Sequence, residues 1–210
     1  MRSLHDTEVA EVALLSACGA LAYMLAAAFR LEATLGAFFP MPLVVAAARW
    51  PSGVVWQTLR GTTLLLLLLG GPLRASSFLL LHGSLGASLG LAWAAKWPWA
   101  ASVPAAALCR TLGVVGSLAI SSLLLRENIA GLVVAQISAA LDQMASLVGA
   151  VSPLSLPMVY ALTFALVLAN ALMYSLIMHL LLAVLSTALF TEREFGNVPD
   201  VIKRALFPPQ

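Results

Sequence analysis

The sequence predicts an all-α fold: a polytopic membrane bundle of about six transmembrane helices plus one amphipathic helix. Three observations carry that prediction. Of 210 residues, 61% are apolar and only 10% are charged, whereas soluble domains run at about 45–50% and about 25%. Mean hydropathy is +0.99. The apolar residues also gather into long runs separated by short polar, glycine or proline breaks. A hydrocarbon core of about 30 Å takes about 20 such residues as helix. A lone strand in lipid would leave its amide and carbonyl groups unpaired. The period-two alternation of a membrane barrel is missing from these runs. A soluble enzyme, a disordered chain and a nucleic-acid-binding module are excluded together. The net charge of +2 is too small and too scattered to grip a polyanion.

The first span is expected at about Val9–Phe29, ended by Arg30 and Glu32. The second, about Leu35–Ala48, is short and carries Pro40 and Pro42. The third runs over about Gly53–Leu69 and is closed by Gly70-Gly71-Pro72. The fourth, about Ser77–Ala95, is closed by Lys96-Trp97-Pro98-Trp99. The fifth, about Pro104–Leu125, is closed by Arg126-Glu127-Asn128. The last covers about Ser155–Leu189, with Pro157 in its first turn, where a missing N–H costs no helical bond. As helix it would reach roughly 50 Å, so it must tilt, project or bend. Residues 1–190 then form one transmembrane domain, and 191–210 a short polar tail.

Ile129–Val148 reads differently. Ile129, Leu132, Val133, Ile137, Leu141, Met144 and Val148 recur every three or four residues, with Gln136, Asp142, Gln143 and Ser146 between them. This amphipathic pattern predicts a helix on the bilayer surface, or a lid over a cavity. An Asp near its middle would be costly in a span.

With alternating spans, lysines and arginines fall eight against three in favour of the side that carries both termini. The positive-inside rule makes that side cytoplasmic, or stromal in a plastid. All five tryptophans fall near the same face. The first eleven residues hold Asp6, Glu8 and Glu11 against one Arg2, the wrong charge for a signal peptide. Cys18 and Cys109 each lie in an apolar run and read as small buried side chains rather than a disulfide.

Few residues can carry chemistry. Glu32 is the sole carboxylate between Val12 and Leu125, so no buried carboxylate pair is available for proton work. His5, His82 and His179 lack metal-ligand spacing, so no metal and no cofactor are expected. Arg60 and Arg110 are the deepest cations. They either snorkel to the headgroups or turn inward to meet an anion or a partner, and Trp56 could offer Arg60 an indole face. Asn170, Tyr174 and His179 interrupt the last span. Asn170 and Tyr174 share a face, and His179 lies about half a turn away. Gly86 and Gly90 flank Ser88 in a G-x-S-x-G string. Inside an apolar helix this reads as a small-residue packing seam rather than a nucleophile elbow. Ser88 and His179 do fall in the spans where rhomboid intramembrane proteases carry serine and histidine. Leu89, however, separates Ser88 from Gly90, and His179 is not followed by the glycines that let that helix pack against the serine helix.

At Phe39-Pro40-Met41-Pro42, Ala48-Arg49-Trp50 and Gly70-Gly71-Pro72, continuing to Asn170 and His179, the chain resembles the YybS-like family. This is an uncharacterised group of bacterial, cyanobacterial and plastid membrane proteins. That family is similar to the substrate-binding S components of energy-coupling-factor (ECF) transporters. The resemblance implies a non-enzymatic subunit in a bacterial plasma membrane or a plastid membrane. It would capture a small-molecule solute and work with a transmembrane T subunit and two ATPase subunits. Ala13-x-x-x-Ala17 and Ala22-x-x-x-Ala26 are similar to the small-residue motif with which S components dock. The amino-terminal histidine motif of the nickel/cobalt type is missing. No phosphate-binding G-x-x-x-x-G-K-[S/T] occurs, so any ATPase is another chain. The expected solute pocket lies among spans four to six beneath Ile129–Val148, with Gln136, Asp142, Asn170, Tyr174 and His179 as candidates. The alternative expectation is a non-transporting scaffold or assembly factor.

Overall fold

The computed structural model describes residues 2–147, 155–189 and 198–199. Among them there is helix and no strand. The long elements are α1 (Arg2–Ala28), α4 (Ser52–Phe78), α6 (Trp99–Leu125), α7 (Ile129–Leu147) and α8 (Leu156–Leu189); the short ones are α2 (Glu32–Leu35), α3 (Met41–Arg49) and α5 (Ser84–Ala94). Five stretches are long and apolar enough to cross a membrane: Asp6–Ala28, Ser52–Ala94, Trp99–Leu125, Ile129–Leu147 and Leu156–Leu185. The chain is therefore a multi-pass integral membrane protein in its architecture.

The Ser52–Ala94 stretch is two crossings. Gly71 takes φ 80 and ψ 177 inside α4, a backbone region that only glycine enters cheaply. Pro72 follows and has no N–H to continue the ladder. The chain folds back on itself there, so that Leu59 lies against Gly83. After the turn, the helix passes through one π turn, Leu79–Gly83, before α5. The sequence gives no signal for this π turn.

The second predicted span is not one helix. It is α2, a 3-10 turn at Gly36–Phe38 and then α3, which starts after Pro40. Pro40 and Pro42 break the ladder where a continuous Leu35–Ala48 helix would need it. The fifth span begins earlier than expected, at Trp99 behind an extended Pro98, and takes Pro104 inside its first turns. Arg30, Lys96 and Arg126, expected as span closers, each follow a helix end in the left-handed region.

Small residues set the packing. On α1, Ser16 and Gly19 meet Gly61 and Thr62 of α4, and the Ser16 hydroxyl donates to the Thr58 carbonyl at 3.2 Å. On α5, a Cβ at Gly86 would stand 2.8 Å from the Pro40 carbonyl oxygen, and one at Gly90 would stand 2.8 Å from Ala47 Cβ. The G-x-S-x-G string is thus a seam against α3. Gly113 on α6 abuts the Leu80 carbonyl of the π turn so closely that it leaves no room for a Cβ.

Helices α6 and α8 run antiparallel, since Ser102 meets His179 and Ser175 meets Val103. Equal numbers of residues separate Ser102 from Leu125 and His179 from Leu156. Those two ends therefore lie level at the far end of the bundle. Helix α7 starts beside them and leans on α6 and α8 with none of its residues buried. It was expected as a surface helix. Its 19 residues are nonetheless long and apolar enough to cross. At the opposite end, Trp50 and Trp97 line one cavity and Trp93 packs on Trp99. Glu11 of α1 reaches Arg49 and Trp50 there. Val198 rests against the cluster containing Trp93 and Trp99. The rest of the predicted tail, and Val148 of the amphipathic segment, lie outside the described residues.

Candidate functional site

Two features lie near one another in the bundle, one where α3, α5 and α6 meet and one deeper, between α6 and α8. The first is a half-open cavity of about 630 Å³ at the tryptophan end, where Pro51, Ser52, Ala95, Trp97 and Ala105 of its lining are exposed. The junction of α3 and α4 lines it with Ala47, Trp50 and Pro51. The end of α5 contributes Ser88, Leu91 and Ala95, with Trp97 just beyond. The start of α6 contributes Ser102, Ala105 and Ala106. Alanine at so many lining positions is what leaves the volume open, because three helices meet there without side chains long enough to fill the gap. The walls are apolar, with a few serine hydroxyls. Ser88 bonds back to the Leu85 carbonyl at 2.9 Å on its own helix.

Ser102 has another partner. Its Oγ lies 2.8 Å from His179 Nε2, and both residues are buried. His179 Nδ1 is 2.7 Å from the Ser175 carbonyl oxygen. A carbonyl only accepts, so Nδ1 carries a proton. In the neutral ring Nε2 then accepts from the Ser102 hydroxyl. The ring is held between two indoles, with centroids 5.8 Å from Trp93 and 5.2 Å from Trp99. The serine that faces His179 is therefore Ser102, and not Ser88, the serine on which a rhomboid-like arrangement would rest.

The second feature is a polar cluster deeper in the bundle. Arg110 follows Ser102 and Ala106 at four-residue spacing on one stripe of α6. It lies about 16 Å along the helix from Trp99, close to the middle of a bilayer core. Its guanidinium carbon sits 3.6 Å over the centroid of the Tyr174 ring. The Tyr174 hydroxyl donates to the Gly36 carbonyl at 2.9 Å, so the break before α3 supplies the acceptor. A Cβ on Gly36 would stand 3.7 Å from His82 Cε1, which places His82 beside that glycine. His82 also packs edge-on against Phe39 and Tyr23 at 4.9 and 5.9 Å. Two buried nitrogens of this cluster, Arg110 Nη1 and His82 Nδ1, have no hydrogen-bond partner among the described residues. Among the described residues no carboxylate there pairs with Arg110; Glu11 pairs instead with Arg49, at the tryptophan end.

The expected site residues separate accordingly. Tyr174 and His179 both face inward and both bond across helices, whereas Asn170 is exposed, so sharing a face with Tyr174 did not bring it inside. Gln136 is exposed and Asp142 half-buried on α7, away from the cavity. Of the two deep arginines, Arg110 turns inward and Arg60 is exposed on α4. The cation–aromatic pair is Arg110 with Tyr174 and not Arg60 with Trp56. Ala13 is exposed and Ala17 half-buried on α1. Cys18, expected to be buried, is exposed on the outer surface of α1, and Cys109 is half-buried. Among the described residues no group of three potential metal ligands occurs. Sequence reasoning missed Ser102, His82 and Gly36. Ser102 carries no local motif, and its role depends on the register between α6 and α8.

No family model matches this chain, and no curated protein or solved structure matches it significantly. The likeness to the YybS-like proteins therefore rests on its short motifs.

Proposed function

We propose that this chain is a solute-binding membrane subunit, similar to the S component of an ECF-type transporter, and that it holds a small molecule in the half-open cavity at the tryptophan end of the bundle. The observation that carries this reading is the cavity of about 630 Å³ at the junction of α3, α5 and α6. Its size falls within the range of about 300–1,000 Å³ of small-molecule sites, and so does its make-up of apolar walls with a few polar groups. The irregular backbone nearby supports the reading. Broken helices at membrane depth occur in transporters where they surround a site, and here the 3-10 turn before α3 and the π turn before α5 flank the interior. The sequence has no nucleotide-binding motif, so energy must come from partner ATPases. The exposed alanine face of α1 at Ala13 is the surface on which a T subunit would dock.

Tagged purification in mild detergent, with mass spectrometry of the retained proteins, tests the reading. Recovery of an ECF-type T subunit and its ATPases is the expected result. Recovery of an unrelated assembly containing no ATPase would leave a scaffold or assembly factor in place of a transport subunit.

A further inference from the structure

We infer that the group recognised in the bundle interior is an anion, carboxylate or phosphate, and that Arg110 is its counter-charge, with His82 beside it. The inference rests on the solute-binding reading and adds the chemical class of what is bound.

A guanidinium at mid-membrane depth is costly unless it reaches water or an opposite charge. Arg110 is half-buried, and among the described residues no carboxylate pairs with it. At about 16 Å from the helix start it is too deep for its side chain to reach the headgroups at the tryptophan end. Arg60, the other deep arginine, shows the contrast, because it is exposed on α4. The ring of Tyr174 covers one face of Arg110. That contact covers a face of the guanidinium and not its edge, where Nη1, one of the in-plane N–H donors, is buried with no acceptor. Those in-plane donors form the fork that matches a carboxylate or phosphate. Tyr174 is itself pinned by its bond to Gly36, so the guanidinium is held in place before any ligand arrives. His82 Nδ1, also buried without a partner, adds a second polar atom next to Gly36. The stripe from Ser102 through Ala106 to Arg110 leads from the cavity wall to this cluster. An aromatic or aliphatic acid could thus place its body among the alanines and its charge one turn deeper.

The test is thermal unfolding of the full chain in nanodiscs, followed by tryptophan fluorescence. Wild type is compared with Arg110→Gln and Arg110→Lys. The probes are benzoate, its neutral counterpart benzyl alcohol, and inorganic phosphate, in discs of phosphatidylcholine with and without phosphatidylglycerol. The expected result is a rise of at least about 2 °C in wild type with benzoate or phosphate. Arg110→Gln should show no such rise and should be more stable than wild type when nothing is added. Arg110→Lys should keep a weaker response, which preserves the test if the glutamine variant does not fold. A rise confined to phosphatidylglycerol discs and lost without Arg110 would keep the anion and make it a lipid headgroup, which sinks the solute reading. Equal stabilisation by benzyl alcohol and benzoate in wild type and Arg110→Gln would keep a solute and overturn the anion. No response in wild type, with Arg110→Gln less stable, would overturn both and leave Arg110 as a packing partner of Tyr174.

Discussion

Ser102 and His179 join α6 to α8 through a 2.8 Å hydrogen bond made wholly inside the bundle. His179 is fixed from its other nitrogen by the Ser175 carbonyl, so the ring cannot turn away to seek another partner. Removing the serine hydroxyl leaves Nε2 buried and unsatisfied, at a cost of about 1–3 kcal/mol. Ser102→Ala should therefore lower stability in detergent. His179→Ala should lower it further, because it also opens a gap between two indoles. In a double-mutant cycle the two losses should add to more than the double variant shows. Strict additivity would mean that the bond contributes nothing to holding α6 on α8.

Gly71 is where the Ser52–Ala94 stretch turns back. At φ 80 and ψ 177 a side chain costs about 1–3 kcal/mol. Open space surrounds the site, so a Cβ there would clash with nothing. Gly71→Ala should thus destabilise through backbone strain alone, and Gly71→Val should be worse. The check is unfolding temperature against Gly53→Ala, where the Cβ also meets open space and the helix is regular.

Gly113→Ala tests the seam between α6 and the π turn. A methyl group there runs into the Leu80 carbonyl oxygen, and that oxygen is already held by the Ser84 hydroxyl at 2.7 Å. Overpacking of this kind costs about 1–3 kcal/mol or more. Gly116→Ala, one turn on, would meet Leu80 methyl groups at 3.6 Å and should be nearly neutral. Measuring both by thermal unfolding separates a tight backbone approach from a general dislike of alanine.

Glu11 closes the tryptophan end by accepting from Trp50 Nε1 at 2.7 Å and pairing with Arg49 at 2.9 Å. Arg49 is 56% exposed, so the ion pair adds at most about 1 kcal/mol and salt should weaken it. Glu11→Gln should lose that salt dependence while keeping an acceptor for the indole. Glu11→Ala should also change the Trp50 environment. Comparing fluorescence spectra of the two variants distinguishes the charge from the hydrogen bond.

Much of this architecture could be read from the chain. Gly70-Gly71-Pro72 marks a turn because glycine alone accepts the backbone and proline refuses the next helical bond. Arg30, Lys96 and Arg126 mark helix ends because cations are costly in lipid. Gly86 and Gly90 mark a seam because their spacing repeats on one face. The interior was harder to read. Ser102 and His179 are 77 residues apart, and what brings them together is the register of two long helices whose faces look alike in composition. Arg60 and Arg110 could not be told apart for the same reason, since both follow a proline and sit in apolar runs. The π turn at Leu79–Gly83 leaves no mark in a stretch of leucines. The short α3 was foreshadowed by Pro40 and Pro42, but its preceding 3-10 turn, which presents the Gly36 carbonyl to Tyr174, was not.

The most direct test of the account is native mass spectrometry of the intact chain released from nanodiscs, run beside Ala106→Trp, which fills the cavity wall. The account predicts a small non-lipid molecule retained by the wild-type chain or taken up from an added mixture of organic acids. It also predicts loss of that mass in Ala106→Trp, with the helical spectrum unchanged. A wild-type chain that carries only lipid, with the same pattern in the filled variant, would contradict the account.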